Sequence, residues 1–169
     1  MIINNLDQMR DFAYKFASLL KENDVINLIG DMGAGKTTLT NYISEYFGIN
    51  DSSSPTFAIV NIYEGDKTIY HLDLYRLEDP DELLELDYET YFYPENAITF
   101  IEWAENGADF LPDDMINVEI SKVDANTREI KILDDTKREQ EINEYFSNWY
   151  LNYDFYCNNC KWRWDFGRF

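Results

Sequence analysis

Residues 30–37 read Gly30-Asp31-Met32-Gly33-Ala34-Gly35-Lys36-Thr37. This stretch matches the phosphate-binding pattern G-x-x-x-x-G-K-[ST] at every fixed position. The apolar run Val25–Ile29 precedes it and is typical of a buried parallel strand. The residues from Lys36 to Phe47 follow it and have the apolar periodicity of a helix. The sequence therefore predicts a strand, a glycine-rich loop and a helix, which is the context that the pattern requires.

The residue types in this loop predict a nucleoside triphosphate as the ligand. Glycines let backbone N–H groups turn toward phosphate oxygens, and the helix N-terminus adds a positive potential. Lys36 is expected to reach the β- and γ-phosphates, and the Thr37 hydroxyl is expected to bind Mg²⁺. A glycine-rich turn that merely joins a strand to a helix would not need both residues at these positions. We expect nucleotide contacts from eight consecutive residues: Asp31, Met32, Gly33, Ala34, Gly35, Lys36, Thr37 and Thr38.

The charge balance argues against strong autonomous binding of RNA or DNA. The chain has 14 Lys and Arg residues against 33 Asp and Glu residues, which gives a formal net charge of −19. Proteins that bind nucleic acids neutralise phosphates with a clustered basic face. The acidic excess instead favours solubility, or it steers the chain toward a basic protein partner.

The sequence also predicts where the protein works. No apolar run approaches the roughly 20 residues that a membrane-spanning helix needs. The first residues, Met1 to Asp7, lack the basic region and the apolar stretch of a signal peptide. Two cysteines do not make a disulfide framework. We expect a cytoplasmic protein that has no membrane segment.

The chain length of 169 residues suits one globular domain with a tail. We assign residues 1–135 to a nucleotide-binding domain, and residues 136–169 to a C-terminal amphipathic helix and an aromatic-rich tail. The tail contains one C-x-x-C pair, Cys157 and Cys160, which is a weak metal signal because structural zinc needs four ligands. The tail either packs back onto the domain or docks a partner or a second copy of the chain.

Periodicity and turn residues predict the other elements of the domain. Apolar residues at helical spacing mark a helix over residues 6–21. An Asp-Pro-Asp-Glu capping box at Asp79 to Glu82 begins a helical region over residues 80–92. Alternating apolar residues and apolar runs predict further strands over residues 57–63, 68–75, 97–103, 115–120 and 128–132.

Two carboxylates lie near the ends of predicted strands and are candidates for the metal side of the site. Asp73 lies among apolar neighbours, where a carboxylate needs a partner or a metal, and Arg76 is an alternative structural partner. Glu102 ends a buried strand of the kind that places an acid beside Mg²⁺ in phosphate-loop proteins. His71 is the only histidine, and we interpret it as a strand-packing residue and not as a catalytic base.

The polar stretch from Asn50 to Thr56 has no periodicity and follows the helix of the glycine-rich loop. It is either a simple connector or a mobile loop that closes over the γ-phosphate and Mg²⁺, as switch segments do.

Together these segments resemble the TsaE (YjeE) family, small bacterial P-loop ATPases of tRNA threonylcarbamoyladenosine synthesis. The resemblance spans roughly residues 5–133, and the H-x-D-L-Y-R and I-E-W segments make it far more specific than the glycine-rich loop alone. The matching segments are Gly30–Leu39, Ser54–Phe57, Tyr70–Leu77, Ile101–Trp103 with Glu105, and Leu111–Pro112.

The resemblance implies a P-loop NTPase-like, three-layer α/β fold. In it, a mostly parallel sheet carries antiparallel hairpin additions and has helices on both faces. It also implies that the Ser54–Thr56 loop and Asp73 act in a switch-like region, and that Glu102 binds Mg²⁺ beside Thr37. The catalytic residues are then expected to be Lys36, Asp73 and Glu102.

The same resemblance implies assembly with TsaD-like and TsaB-like proteins. ATP binding and hydrolysis by the TsaE-like member would support turnover of the complex, while a partner transfers the carbamoyl group to an adenosine of tRNA. The chain would then meet tRNA only through the complex, which agrees with the separate argument from its acidic charge.

Three other functions are possible for a chain with this glycine-rich loop. A small-molecule P-loop kinase usually brings several arginines to the transferred phosphate, yet only Arg76 lies between the loop and residue 127. A GTP-driven switch would need an Asn-Lys-x-Asp segment to read guanine, and the chain has none. A third alternative is an interaction module that binds a nucleotide for structural reasons and does not hydrolyse it. The sequence does not decide against this alternative, because residue types do not give a rate of hydrolysis.

Overall fold

Seven strands form one sheet in the order β1-β7-β6-β2-β5-β4-β3. The computed structural model of the chain describes residues 1–49 and 59–156. The strands are β1 (Ile2–Ile3), β2 (Val25–Ile29), β3 (Val60–Glu64), β4 (Thr68–Asp73), β5 (Ala97–Glu102), β6 (Ile116–Lys122) and β7 (Arg128–Ile132).

The four central strands, β6, β2, β5 and β4, run parallel to one another. The hairpins β3–β4 and β6–β7 add antiparallel strands at the two sides, and β1 pairs antiparallel with β7. All six residues of β5 are buried, as expected for a strand covered on both faces. Because the carboxyl ends of parallel strands meet at one edge, Asp73, Glu102 and the loop after β2 lie near one another.

Helices cover one face of the sheet. They are α1 (Leu6–Ala17), α2 (Lys36–Tyr46) and α4 (Lys137–Tyr156). Their apolar side chains, Phe16 and Leu39 among them, pack in one buried cluster with strand residues such as Ile26 and Phe100. The Phe146 ring of α4 stacks on Phe12 of α1 with 5.3 Å between ring centroids.

The opposite face carries short helical segments. Three 3₁₀ segments, Leu74–Arg76, Pro80–Leu86 and Ala104–Phe110, lie with helix α3 (Tyr88–Phe92) around a second buried cluster. Helices on both faces of a parallel-centred sheet confirm the predicted three-layer α/β architecture.

The predicted elements are present among the described residues, and several of them have changed bounds. The first helix ends at Ala17 and not at residue 21, because the chain tightens through a hydrogen bond from Leu20 N–H to the Ala17 carbonyl. Leu20 is nevertheless buried, so it continues the apolar pattern because it packs in the core, and not because the helix extends to it. The strand predicted to reach residue 75 ends at Asp73, whose carboxylate caps the next turn.

The helical region over residues 80–92 is two segments. The predicted capping box between Asp79 and Glu82 is confirmed. Asp87 then adopts a left-handed conformation with φ 51°, which separates the 3₁₀ segment from α3. Across the described residues, no helix has the length and apolar character to cross a membrane.

Candidate nucleotide-binding site

The glycine-rich loop leaves β2 at Ile29 and enters α2 at Lys36. Gly30 approaches the backbone of β6 so closely that an added Cβ would lie 2.3 Å from the Ile120 carbonyl oxygen. Its φ of 154° also disfavours other residues. Only glycine fits here without moving β6, so the requirement at this position comes from packing as well as from phosphate binding.

Lys36 lies folded over the loop. Its Nζ donates to the Gly30 carbonyl at 2.6 Å and to the Asp31 carbonyl at 3.2 Å. The ammonium group also lies 3.9 Å from Glu102 Oε2 and 4.6 Å from the centroid of the Trp103 ring. The side chain is only 4% exposed. A nucleotide phosphate that reaches this ammonium group has to replace the two loop carbonyls as its acceptor.

Glu102 connects the strand edge to the loop. Its Oε1 accepts a hydrogen bond from Thr37 Oγ1 at 3.0 Å. The same oxygen lies 3.0 Å from His71 Nε2, and the ring of His71 is fully buried. Glu102 is therefore a buried carboxylate whose Oε1 contacts both Thr37 and His71, beside the lysine of the loop.

Asp73 lies next to Glu102 in the sheet, since the two residues are register partners on the parallel strands β4 and β5. Its side chain is half-buried. Asp73 Oδ1 accepts the Tyr75 N–H at 3.1 Å, which caps the 3₁₀ segment after β4. The Asp73 carboxylate thus caps a 3₁₀ segment. The predicted roles for it, as a partner of Arg76 or a ligand of a metal, stay predictions.

Thr37 and Glu102 meet the requirements of a magnesium site that is shared with a nucleotide. Mg²⁺ in such sites takes one or two protein oxygens, phosphate oxygens and waters. Residues 1–49 and 59–156 contain no group of three or more His, Cys, Asp or Glu side chains that could hold a metal. The two converging oxygens suit a metal that arrives with phosphates, and not one enclosed by protein alone.

A cleft of about 570 Å³ continues from the loop. One wall is the segment before and at the start of α1, and the opposite wall is the turn of the β6–β7 hairpin. Ala34, Gly35 and Thr38 line the cleft between these walls. The residues of the two walls are Ile3, Asn4, Asn5, Leu6, Asp7 and Met9 on one side, and Ala125, Asn126 and Arg128 on the other.

The hairpin wall is bonded to the loop. Arg128 Nε donates to the Ala34 carbonyl at 2.7 Å, and its Nη1 donates to the Asp124 and Thr127 carbonyls at 3.0 Å each. Hydrogen bonds from Asn126 and Thr127 hold the pKa of the Asp124 carboxyl below its ordinary value and close the turn. One guanidinium group thereby joins the turn to the phosphate loop.

The structure brings the predicted residues to one place. Asp31, Met32 and Gly33 form the exposed top of the loop, while Lys36 and the half-buried Thr37 lie against the buried Glu102 at the end of β5. The predicted switch loop from Asn50 to Thr56 and the Cys157–Cys160 tail lie outside the described residues.

Sequence reasoning missed two contacts of the site, those of His71 and Arg128. His71 was interpreted as strand packing, although its spacing of two from Asp73 already placed both side chains on one face of β4. No local pattern marks Arg128, which meets Ala34 from 94 residues away.

The chain is similar to known proteins. The family described as threonylcarbamoyl adenosine biosynthesis protein TsaE matches residues 3–130. A tRNA threonylcarbamoyladenosine biosynthesis protein TsaE of Rickettsia bellii is 40% identical over 148 residues, which cover 85% of this chain and 94% of the relative. The protein of the same name from Bacillus subtilis is 38% identical over 128 residues, which cover 75% and 79%.

A solved structure is also similar. The crystal structure of Bacillus subtilis YdiB superimposes with a TM-score of 0.72 at 29% sequence identity, and the match covers 88% of this chain and 93% of that one. The residues matched by the family contain the whole site, from the glycine-rich loop through Glu102 to Arg128. This chain belongs to the TsaE family of threonylcarbamoyl adenosine biosynthesis proteins.

Proposed function

We propose that the chain binds ATP with Mg²⁺ and hydrolyses it, as the ATP-driven member of the complex that installs threonylcarbamoyl on tRNA. The observation that carries this proposal is the meeting of Lys36, Thr37 and Glu102 at the end of β2. A cation for phosphates lies there 3.9 Å from a carboxylate that accepts a hydrogen bond from the Thr37 hydroxyl, so two oxygens for a metal lie beside it. Membership of the TsaE family supplies the biosynthetic context.

The loop residues bind the triphosphate. Backbone N–H groups over Asp31 to Thr38 surround the phosphate oxygens, aided by the positive end of α2. Lys36 transfers its hydrogen bonds from the Gly30 and Asp31 carbonyls to the β- and γ-phosphates. The base and ribose occupy the adjoining cleft of about 570 Å³, between the start of α1 and the hairpin turn.

Thr37 and Glu102 hold Mg²⁺, which supplies charge neutralisation on the β- and γ-phosphates when it is bound. Asp73, in register with Glu102 on the neighbouring strand, orients the attacking water or the hydration shell of the metal. This assignment gives catalytic roles to Lys36, Asp73 and Glu102.

The partners are TsaD-like and TsaB-like proteins, and a partner performs the transfer to tRNA. A chain with a net charge of −19 does not hold a polyanion by itself, so contact with tRNA is indirect. ATP hydrolysis then serves turnover of the assembled transferase in the cytoplasm. The division into a domain over residues 1–135 and a C-terminal segment over residues 136–169 stays part of the proposal.

The test compares Lys36→Ala and Glu102→Gln with the unchanged chain. We expect Lys36→Ala to weaken ATP binding by about 100-fold or more, because a charged hydrogen-bond donor to phosphate is lost. Glu102→Gln should keep ATP binding in the absence of metal and reduce hydrolysis by about 100-fold. Calorimetry measures binding of ATP and GTP, and phosphate release measures hydrolysis with and without the TsaD-like and TsaB-like proteins.

Matched controls separate site effects from general charge effects. Lys67→Ala removes a lysine in the β3–β4 turn, and Glu95→Gln removes an exposed carboxylate before the opposite end of β5. Both should behave as the unchanged chain. Unchanged ATP binding in Lys36→Ala, a marked preference for GTP, or a phosphorylated metabolite as the product would each refute the proposal.

A further inference from the structure

We propose that His71 is the positioning residue for Glu102, and that it fixes the carboxylate for metal binding through its Nε2–H group. The two side chains meet at 3.0 Å between His71 Nε2 and Glu102 Oε1. His71 is fully buried, and Glu102 is 4% exposed. This inference rests on the proposed function, because it assigns a supporting residue to the metal ligand named there.

The contact itself assigns the tautomer. An ionised carboxylate only accepts hydrogen bonds, so the ring nitrogen that faces Glu102 has to carry the proton. Nδ1, on the other side of the ring, has no hydrogen-bond partner among the described residues. The ring therefore donates from Nε2 and leaves Nδ1 unprotonated, since a buried N–H group without a partner would be unfavourable.

A neutral donor suits a metal ligand. A lysine or arginine at this position would neutralise Glu102 and compete with a cation for it. The imidazole N–H orients the carboxylate and leaves its negative charge available to Mg²⁺. Thr37 Oγ1 donates to the same oxygen at 3.0 Å, so Oε1 is held from two sides and Oε2 faces Lys36 Nζ at 3.9 Å.

The sheet makes this arrangement rigid. His71 is the register partner of the fully buried Phe100, two residues before Glu102 on β5. Side chains two apart on a strand share a face. The ring thus reaches Glu102 diagonally across two hydrogen-bonded central strands. Without the ring, the flexible side chain of Glu102 is free to turn toward the Lys36 ammonium group, and the metal position is lost.

The test uses two amide substitutions that differ in reach. His71→Gln places an amide N–H near the position of Nε2, whereas the shorter His71→Asn cannot reach it. The probe is Mn²⁺, followed by the loss of its free electron paramagnetic resonance signal in the presence of ADP. We expect His71→Asn to weaken Mn²⁺ binding by about 10- to 100-fold, the range for lost supporting hydrogen bonds. His71→Gln should restore most of this affinity.

ADP binding in EDTA separates the inference from the proposed function. It should be unchanged in both variants, because without metal the phosphates depend on the loop and Lys36 and not on the position of Glu102, and it should be lost in Lys36→Ala. If Lys36→Ala binds ADP normally, the proposed function fails. If His71→Asn binds Mn²⁺ as tightly as His71→Gln, the positioning role fails while nucleotide binding stands.

A second measurement needs no variant. The chain has a single histidine, so ¹⁵N-labelled imidazole gives one ring pattern that requires no assignment among residues. We expect the spectrum of the unchanged chain to show a proton on Nε2. A ring whose Nε2 carries no proton would overturn the inference, whatever the stability of the variants.

Discussion

The Nε of Arg128 donates a hydrogen bond of 2.7 Å to the carbonyl oxygen of Ala34. This contact joins the first residue of β7 to the middle of the phosphate loop. The other end of the guanidinium group bonds the Asp124 and Thr127 carbonyls of the hairpin turn. One side chain thus joins the glycine-rich loop, which we propose binds phosphates, to the turn that lines the adjoining cleft.

Arg128→Met should lower ATP affinity by about tenfold. A hydrogen bond from a charged donor contributes about 1.5–3 kcal/mol, and without it the loop is less ordered before ATP binds, so part of this free energy is lost from binding. Isothermal calorimetry with ATP measures the effect. Lys131→Met is the matched control, since it removes an exposed cation from the same strand. Equal losses in both variants would mean that charge alone, and not the contact with Ala34, sets the affinity.

Gly30→Ala should destabilise the fold more than Gly33→Ala. A Cβ on Gly30 would overlap the Ile120 carbonyl oxygen at 2.3 Å, whereas a Cβ on Gly33 meets nothing within 4 Å and only strains a φ of 76°. The first change displaces backbone and is expected to lower the free energy of unfolding by about 3 kcal/mol. The second should lower it by about 1–2 kcal/mol. Urea denaturation compares them.

The reverse order of the two glycine variants would contradict the packing reason given for Gly30. Both variants should bind the nucleotide more weakly, since both residues belong to the loop. Stability is therefore the measurement that distinguishes them.

The elements that carry local signals could be predicted from the sequence. The glycine-rich loop, its strand and its helix follow from one stretch of residues, and the capping box at Asp79 is a pattern of four. Glu102 could be predicted because a buried apolar run ends at it. A second capping box, Thr136-Lys137-Arg138-Glu139, begins α4 and is a local pattern of the same kind.

The contacts that depend on register could not be predicted. No residue near His71 in the sequence indicates that β4 lies beside β5. This strand pairing is what places His71 next to Glu102. The left-handed Asp87 also lacks a local signal, so the helical region was predicted as continuous. The apolar spacing continues past Ala17 because Leu20 is buried. Spacing alone does not distinguish a continuing helix from a turn closed by the hydrogen bond between Leu20 N–H and the Ala17 carbonyl.

Arg138→Lys should loosen helix α4. Arg138 binds both carboxylate oxygens of Asp24, at 2.9 and 2.8 Å, and donates to the Leu19 carbonyl. The hydrogen bonds to Asp24 raise the pKa of the guanidinium group above its ordinary value, so the charge is constant. Lysine cannot make the forked contact, and we expect a loss of about 1–2 kcal/mol and a melting temperature roughly 3–6 °C lower.

Lys137→Ala is the control for Arg138, since Lys137 is an exposed cation one residue earlier. It should leave the melting temperature unchanged. The family match ends at residue 130, so this ion pair anchors a helix that lies beyond the matched residues. A melting temperature of Arg138→Lys equal to that of the unchanged chain would show that apolar packing alone, through Ile142 and Phe146, holds α4.

The ionised carboxylate of Glu139 should make the free energy of unfolding fall at low pH. It is fully buried. Burial alone would raise the pKa of its carboxyl, but hydrogen bonds from Asn117, Thr136 and Asp135 more than offset this and hold the pKa below its ordinary value. A carboxyl whose pKa is lower in the folded state stabilises the fold fully above its ordinary pKa, and this contribution is lost as the pH falls through the lowered one.

Glu139→Gln removes that dependence. The amide has one acceptor oxygen, so it cannot accept both the Asp135 and Thr136 N–H groups that Oε2 now binds at 2.9 and 2.8 Å and the Asn117 N–H groups that Oε1 binds. We expect a loss of about 2–3 kcal/mol at pH 7. The difference from the unchanged chain should shrink as the pH falls below about 4.3, the ordinary pKa of a glutamate. Glu144→Gln, an exposed carboxylate on the same helix, is the control. A difference for Glu139→Gln that stays constant across this range would mean that shape, and not the ionised carboxylate, caps α4.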